Sequence, residues 1–477
     1  MSALYVAVLV VIAGVLLAVA VSRALLVKTK ADYLVAGRTL SAFVLVLTLL
    51  TSWIGAGSLF AGAENAYRNG FAALWLPAGG WAGLLLIYFI APRARKFAQF
   101  TLPDLLEARY NQAARVLGTI AILFAYVAIT SYQFKGGGNV LHLIFPDTVT
   151  PELGAYIIAA FVIVTTAMAG MSSVAYMDVA IGSMVTVICL IAAPMLLAKA
   201  GGWSGLHASL PQTHFEVLGN LTFVRAMEFM VPTMLLMLGN QVMYQKFFSA
   251  KSERDARVSV VGWILGTVLL ETLIVAIAVF GSALYKTGEV AQQPYEIIPY
   301  TARHGLPALM GALLLGAVFA KVISTASNYL FSSATNLIED VFVRYLVPSA
   351  SNKQVLLFSR AAVALLGFWA LYQAIYAPSV LAKMLYAYTI YSAAVTPVVL
   401  AAFYSKRATA WGAVSAIAIG TVVTLAWDVP GVKGLFPPLL AQRDAIFPAL
   451  FTAVAALVVV SAFTPKPSAE QLAKLAE

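Results

Sequence analysis

Roughly thirteen apolar runs, each near or above the ~20 residues that a helix needs to cross a bilayer, follow one another along this chain with only short polar interruptions. They centre near residues 15, 55, 82, 125, 160, 185, 235, 270, 320, 365, 390, 417 and 455. Only helices and closed barrels satisfy every backbone polar group in lipid. A barrel is excluded because the runs lack period-two alternation. The fold class expected is therefore an all-α polytopic membrane protein. Composition agrees: 61% of the 477 residues are hydrophobic and 10% are charged, against about 25% charged in a soluble domain. The first run, about residues 3 to 26, lacks the basic leading region of a cleavable signal and reads as a span.

The net charge of +10 raises the question of nucleic acid, and its distribution answers it. When loops are assigned alternately to two sides, one side collects 20 Lys and Arg, among them Arg93, Arg115, Lys246, Lys251 and Arg407. The other collects 8, among them Arg68, Lys199 and Arg303. This is the positive-inside pattern. It places the N-terminus outside and the C-terminus in the cytoplasm, and removes any need for a nucleic-acid partner. The single cysteine, Cys189, lies in an apolar run and reads as a packing residue.

Two crossings look broken. The second reads LTLLTSWIGAGSLFAGAENAY, with Gly55 and Gly57 near mid-membrane; the seventh reads MEFMVPTMLLMLGNQVMYQKF, with Pro232 and then Gly239-Asn240-Gln241. They run in opposite directions, five crossings apart. Glycine-interrupted spans at matching places in two inverted halves point to the central site of a transporter. Gly136-Gly137-Gly138 in the fourth crossing has no such counterpart and reads as a packing face.

Four ionisable residues stand inside apolar runs: Lys135, Asp178, Glu271 and Lys321. Each costs about 2.5–3.5 kcal/mol to insert at the bilayer centre, so each should face a partner or a cavity. Two cations and two anions suggest pairing. Lys321 opens KVISTASNYLFSSATN, where Lys321, Ser324, Thr325 and Asn328 share one helical face. Glu271 has only Thr272 as a polar neighbour along the chain and reads as a helix contact more readily than as a functional group. Lys135 either reaches a central cavity or extends to a surface.

The chain resembles the sodium:solute symporter family, which shares the LeuT-type inverted-repeat fold with flanking helices. The resemblance spans about residues 30 to 415 and rests on DYLVAGRTLS after the first helix, TLPDLLEARY at 101–110, and AGMSSVAYMDVAIG at 169–182. NQVMYQKFFSAKSERDA at 240–256, the Ser/Thr-rich ninth crossing ending IEDVF, and TPVVLAAFYSKRATAWGA at 396–413 complete it. It implies a first helix and loop (1–40), two inverted five-helix repeats (41–200 and 220–403), and two terminal crossings with a short tail (404–477). It implies a sodium site between the second and ninth crossings. The ligands carry over to the carbonyls of Thr51, Ile54 and Lys321 and the hydroxyls of Ser324 and Thr325, with Asp178 assisting ion passage.

The departure is Lys321, where the family has a small residue. An ammonium there either reaches the cation site or pairs with Asp178, replacing sodium and leaving transport proton-coupled or sodium-independent. Otherwise it points elsewhere and sodium binds normally. No cofactor is expected beyond sodium or a proton as the coupling ion.

The solute is expected beside the breaks, near Ser58, Gln133, Lys135, Asn240, Gln241 and Thr389. Positions that match the sugar-binding cluster of the family read Ser58, Pro77 and Thr233, which argues against a sugar and toward a monocarboxylate or amino acid. An intramembrane enzyme is disfavoured because the four histidines (His142, His207, His214, His304) are scattered without metal spacing. A channel is disfavoured because acidic rings and a repeated filter are absent. A transporter-like sensor would need a separate signalling partner, the tail after about residue 464 being too short for a domain.

Overall fold

Helix starts in this chain are written in short polar side chains that accept from the first free backbone N–H groups. Thr29 and Thr101 form capping boxes with Asp32 and Asp104, and Ser351 forms one with Gln354. Asn111, Thr150, Thr222, Ser252 and Thr409 cap the helices that follow them. Between these caps the apolar runs become helices. The structure, a computed structural model, describes residues 2–97, 100–286, 289–376, 380–429, 431–435, 437–468 and 471–472. Among the described residues it contains no strand, only an isolated parallel bridge between Leu40 and Ala250.

The main helices are α1 (Ser2–Ala24), α2 (Ala42–Trp53), α3 (57–69), α4 (Trp75–Phe97), α5 (Leu102–Arg109) and α6 (Gln112–Ile144). Next come α7 (Pro151–Met168), α8 (Gly170–Lys199), α9 (Phe223–Gly239), α10 (Gln241–Phe248) and α11 (Glu253–Leu284). The last are α12 (Ala308–Leu346), α13 (Asn352–Ile375), α14 (Val380–Tyr404), α15 (Ala410–Trp427) and α16 (Ile446–Phe463). Eleven described segments are long and apolar enough to cross a membrane, against the thirteen runs expected. The difference has a cause: the broken crossings contribute only short helices, α2 with α3 and α9 with α10. Gly170, at φ 63°, turns the chain sharply between α7 and α8.

The breaks fall where the sequence places them. Ile54 (φ −84°, ψ 115°) is extended between α2 and α3, and Asn240 (φ −66°, ψ 111°) between α9 and α10. Large apolar side chains such as Leu85, Phe89, Leu365, Phe368 and Phe451 are exposed on the outer helices, as lipid-facing positions require. The triple glycine of α6 is a packing face. A Cβ on Gly138 would stand 2.4 Å from the Pro151 carbonyl oxygen, and one on Gly137 would crowd Ile158 and Val322.

One end of the bundle is tied by charge. The Arg115 guanidinium, at the start of α6, reaches Asp340 of α12 at 2.7 Å and Asp104 and Glu107 of α5 at 2.7 and 2.5 Å. Arg344 also pairs with Glu107, and Lys30 with Glu339 at 2.6 Å. The TLPDLLEARY stretch is thus a docking helix: its acids hold Arg115, while Arg109 donates to the carbonyls of Ser405 and Ala408. Arg115, assigned above to a loop, is buried in this cluster.

Candidate cation site and solute cavity

A helix broken in mid-membrane strands carbonyl oxygens that no turn of helix can use, and each must find a donor. At the first break the donors come from α12. The Lys321 Nζ lies 2.9 Å from the Thr51 carbonyl oxygen. The Thr325 hydroxyl donates to the Ile54 carbonyl at 3.0 Å and approaches that of Thr51 at 3.3 Å. On the far side of the break, the Ala56 N–H donates to Gln133 Oε1 at 2.7 Å. Gly55 is required here because a Cβ would stand 2.6–2.8 Å from the Thr325 side chain.

Asp178 of α8 closes the site. Its Oδ1 accepts from Ser324 Oγ at 2.5 Å, and its Oδ2 from Thr48 Oγ1 at 2.5 Å and Asn328 Nδ2 at 3.1 Å. The ammonium that pairs with it belongs to Lys246 of α10, at 3.3 Å. Lys246 also donates to the Thr48 carbonyl (3.0 Å), to Asn328 Oδ1 (2.6 Å) and to Ser52 Oγ. Lys246, Lys321 and Asp178 are all fully buried. This corrects the sequence reading: Lys246, assigned to a loop, is inside the bundle, and it rather than Lys321 forms the ion pair with Asp178. The stripe Lys321, Ser324, Thr325 and Asn328 does present a single face to this cluster.

The second break is satisfied differently. Asn240 caps α10 by accepting from the Val242 N–H at 3.0 Å, and its side chain also bonds the hydroxyls of Tyr126 and Tyr329. The Gln241 N–H donates to the Tyr391 hydroxyl, and its side chain bridges the Leu102 N–H, Ser332 and Asn336. Tyr244, Thr396 and Ser392 donate to the carbonyls of Leu238, Leu235 and Pro232. A Cβ on Gly239 would stand 2.3 Å from Thr396 Oγ1. The Gln133 and Asn240 side chains therefore bond backbone at the breaks, while that of Gln241 ties the start of α5 to α12.

Beside the first break lies a small cavity of about 20 Å³, room for little more than one water, walled by Trp53, Ser58, Pro77, Thr233, Glu271 and Tyr388. Ser58, Pro77 and Thr233, the three positions matched to the sugar-binding cluster, all face it. Glu271 completes it, its Oε1 accepting from Ser58 Oγ at 2.8 Å. Trp53 and Tyr388 stack with ring centroids 6.2 Å apart. Gly57 opens this wall: a Cβ there would stand 2.9 Å from Met384 Sδ. Thr389 is buried beside Tyr388 in α14 but does not line the cavity. Lys135 is half-buried away from it, with Glu152 as a charged neighbour.

Sequence reasoning passed over Lys246 and undervalued Glu271. The usable signal for Lys246 was its place in VMYQKFF, within two turns of the break and before the polar SAKSER loop. For Glu271 no local signal existed, because Ser58 is 213 residues away along the chain.

Comparison with known proteins accords with this architecture. The sodium:solute symporter family model matches residues 33–420. The osmoregulated proline transporter OpuE of Bacillus subtilis is 23% identical over 456 residues, covering 92% of this chain and 90% of that one. The sodium/proline symporter of Staphylococcus aureus is 25% identical over 463 residues, covering 92% and 88%. A Na+-coupled sialic acid symporter, solved in a substrate-bound outward-open state, superposes with a TM-score of 0.82 at 18% identity over 98% of both chains. Mhp1, a nucleobase-cation-symport-1 family transporter, does so with a TM-score of 0.58. With its broken crossings, its LeuT-type fold and a family match over most of its length, this chain belongs to the sodium:solute symporter family.

Proposed function

We propose that this protein moves a small amino-acid-like solute across the membrane by alternating access, with the Lys321 ammonium standing in place of the sodium ion. The single observation that carries the second half is the 2.9 Å contact between Lys321 Nζ and the Thr51 carbonyl oxygen, beside the Thr325 hydroxyl. These are two of the oxygens that the family resemblance offers to sodium. A sodium ion on the same carbonyl would lie within about 4 Å of the ammonium, a repulsion of about 4 kcal/mol at an effective dielectric near 20. The cation is thus part of the chain, and transport is independent of sodium or coupled to a proton that Lys321 releases during the cycle. Residues 41–200 and 220–403 act as the two inverted repeats, with the N-terminus outside and the C-terminus in the cytoplasm.

The solute half rests on Glu271. A buried carboxylate facing the cavity repels a simple monocarboxylate and attracts a positively charged nitrogen, so a zwitterion is favoured over an anion. The relatives named for proline carry a solute of that kind. Thermal unfolding in detergent, titrated with sodium against potassium in wild type and Lys321→Ala, tests the cation assignment. A ligand at hundredfold excess over its Kd stabilises the folded state by about 2.7 kcal/mol. Wild type is expected to respond equally to both ions and Lys321→Ala selectively to sodium. A sodium-selective response of wild type itself would restore ordinary sodium symport. Uptake of labelled proline into proteoliposomes, with and without a sodium gradient, tests the transport reading.

A further inference from the structure

A second and much larger cavity, of about 1000 Å³, opens between α4 and α14 on the flank of the bundle. Its floor is apolar and built from Leu86, Phe89, Ile90 and Leu400, of which Leu86 and Phe89 are half or more exposed. Its rim is cationic: Arg93 from the last turns of α4, and Lys406 and Arg407 from the loop between α14 and α15. No Asp or Glu is among the described residues lining it, and none of the three cations forms an ion pair with a described carboxylate. Arg93 stacks over the Tyr404 ring at 5.3 Å. Arg407 spends its Nη2 on the carbonyls of Ala462 and Thr464, while its Nη1 has no acceptor.

The groove lies at a particular depth. The loop that carries Lys406 and Arg407 is held to α5 by Arg109, which donates to the carbonyls of Ser405 and Ala408. The alternating assignment of loops puts this end on the side richer in Lys and Arg, and the tyrosine at the rim is an aromatic of the kind enriched where hydrocarbon meets headgroups. Apolar floor below, three uncompensated cations above, and a lipid-facing flank match one occupant. We propose that this groove binds an anionic membrane phospholipid, with its phosphate held by Arg93 and Lys406 and its acyl chains lying along Leu86, Phe89 and Leu400. Basic pockets between membrane helices at the cytoplasmic leaflet recognise acidic headgroups through the same combination of charge and apolar contact. A free anion would leave the apolar floor uncovered, and a zwitterionic lipid would leave the rim charge uncompensated.

The test compares the full-length protein with Arg93→Gln/Lys406→Gln, leaving Arg407 in place because it secures α16. Each is titrated with phosphatidylglycerol, phosphatidylcholine or inorganic phosphate, with bound lipid counted by native mass spectrometry and stability read as Tm. Wild type is expected to retain phosphatidylglycerol and gain Tm from it, and the double variant to bind it about tenfold more weakly or worse. Arg93→Lys/Lys406→Arg, which conserves charge, should keep the binding and guards against a loss that merely reflects misfolding. Equal stabilisation of wild type by phosphatidylcholine, equal stabilisation by phosphate alone, or undiminished phosphatidylglycerol binding in the double variant would each overturn the assignment.

Discussion

Lys246 and Asp178 form an ion pair at 3.3 Å in the middle of the bundle, both fully buried, with Thr48 and Asn328 bonding to each of them. The pair joins α10, the second half of one broken crossing, to α8, and the two shared partners come from α2 and α12. Four helices therefore meet at one neutralised point. Lys321, in the same cluster, directs its ammonium to the stranded carbonyl of Thr51.

Breaking that pair from one side leaves an uncompensated charge in a dry interior. Lys246→Met or Asp178→Asn alone is expected to cost about 3–5 kcal/mol, whereas the two together cost less than either sum implies. Thermal or denaturant unfolding of the two single variants and the double variant gives the coupling directly. Additive losses would show that the two groups act separately.

Adding one methyl group separates the two glycines of the first break. In Gly55→Ala the new Cβ meets the Thr325 side chain at 2.6–2.8 Å, with branched atoms that cannot swing away, and about 1–3 kcal/mol of stability is expected to go. In Gly57→Ala it meets the flexible Met384 sulfur at 2.9 Å, so the fold should survive while the cavity narrows. Tm and solute affinity measured side by side should divide accordingly, with Gly55→Ala losing Tm and Gly57→Ala losing affinity.

Acid should loosen the charged end of the bundle. Burial alone raises the Glu107 pKa, but hydrogen bonds and charge from Arg115, with Arg344 adding to them, outweigh it and hold the carboxyl below its usual value. A depressed folded-state pKa gives stability that is present above the unfolded pKa, about 4.3, and is lost as pH falls through the folded one. Tm followed from about pH 6 to pH 3 should fall more steeply in wild type than in Glu107→Gln. Identical slopes would mean that the pairing of Glu107 carries no net stability.

Glu271 should decide which solutes bind. Glu271→Gln keeps the shape and the hydrogen bond from Ser58 while removing the charge, and is expected to weaken zwitterion binding at least tenfold, about 1.4 kcal/mol. Competition by a matched set of amines, zwitterions and simple carboxylates reads the effect. Unchanged zwitterion affinity in the variant, or tight binding of carboxylates by wild type, would remove Glu271 from recognition.

Much of this molecule was legible along the chain because its signals are local. Apolar run length set the helices, Gly55 and Gly57 marked the first break, and Gly239 with Asn240 the second. The face shared by Lys321, Ser324, Thr325 and Asn328 follows from helical periodicity alone. The side chains proposed for the solute were less legible. Gln133, Asn240 and Gln241 are polar and sit beside the breaks, and the backbone N–H groups they meet (Ala56, Val242 and Leu102) are seen only in the folded chain.

What the sequence by itself determined is the kind of solvent this chain is built for, the succession of its helices, and the two places where they are interrupted, since each depends on neighbours within a few turns. Which charges meet was decided only by the tertiary structure. Lys246 sits five residues before Lys251 of a charged loop and reads as part of it, until α10 packs against α2 and α12 and buries it beside Asp178. Glu271 finds Ser58, and Lys321 finds Thr51, across more than two hundred residues of chain. A buried ion takes whatever partner the packing of helices brings within a few ångströms, because in a low-dielectric interior leaving it alone costs more than any local preference along the chain.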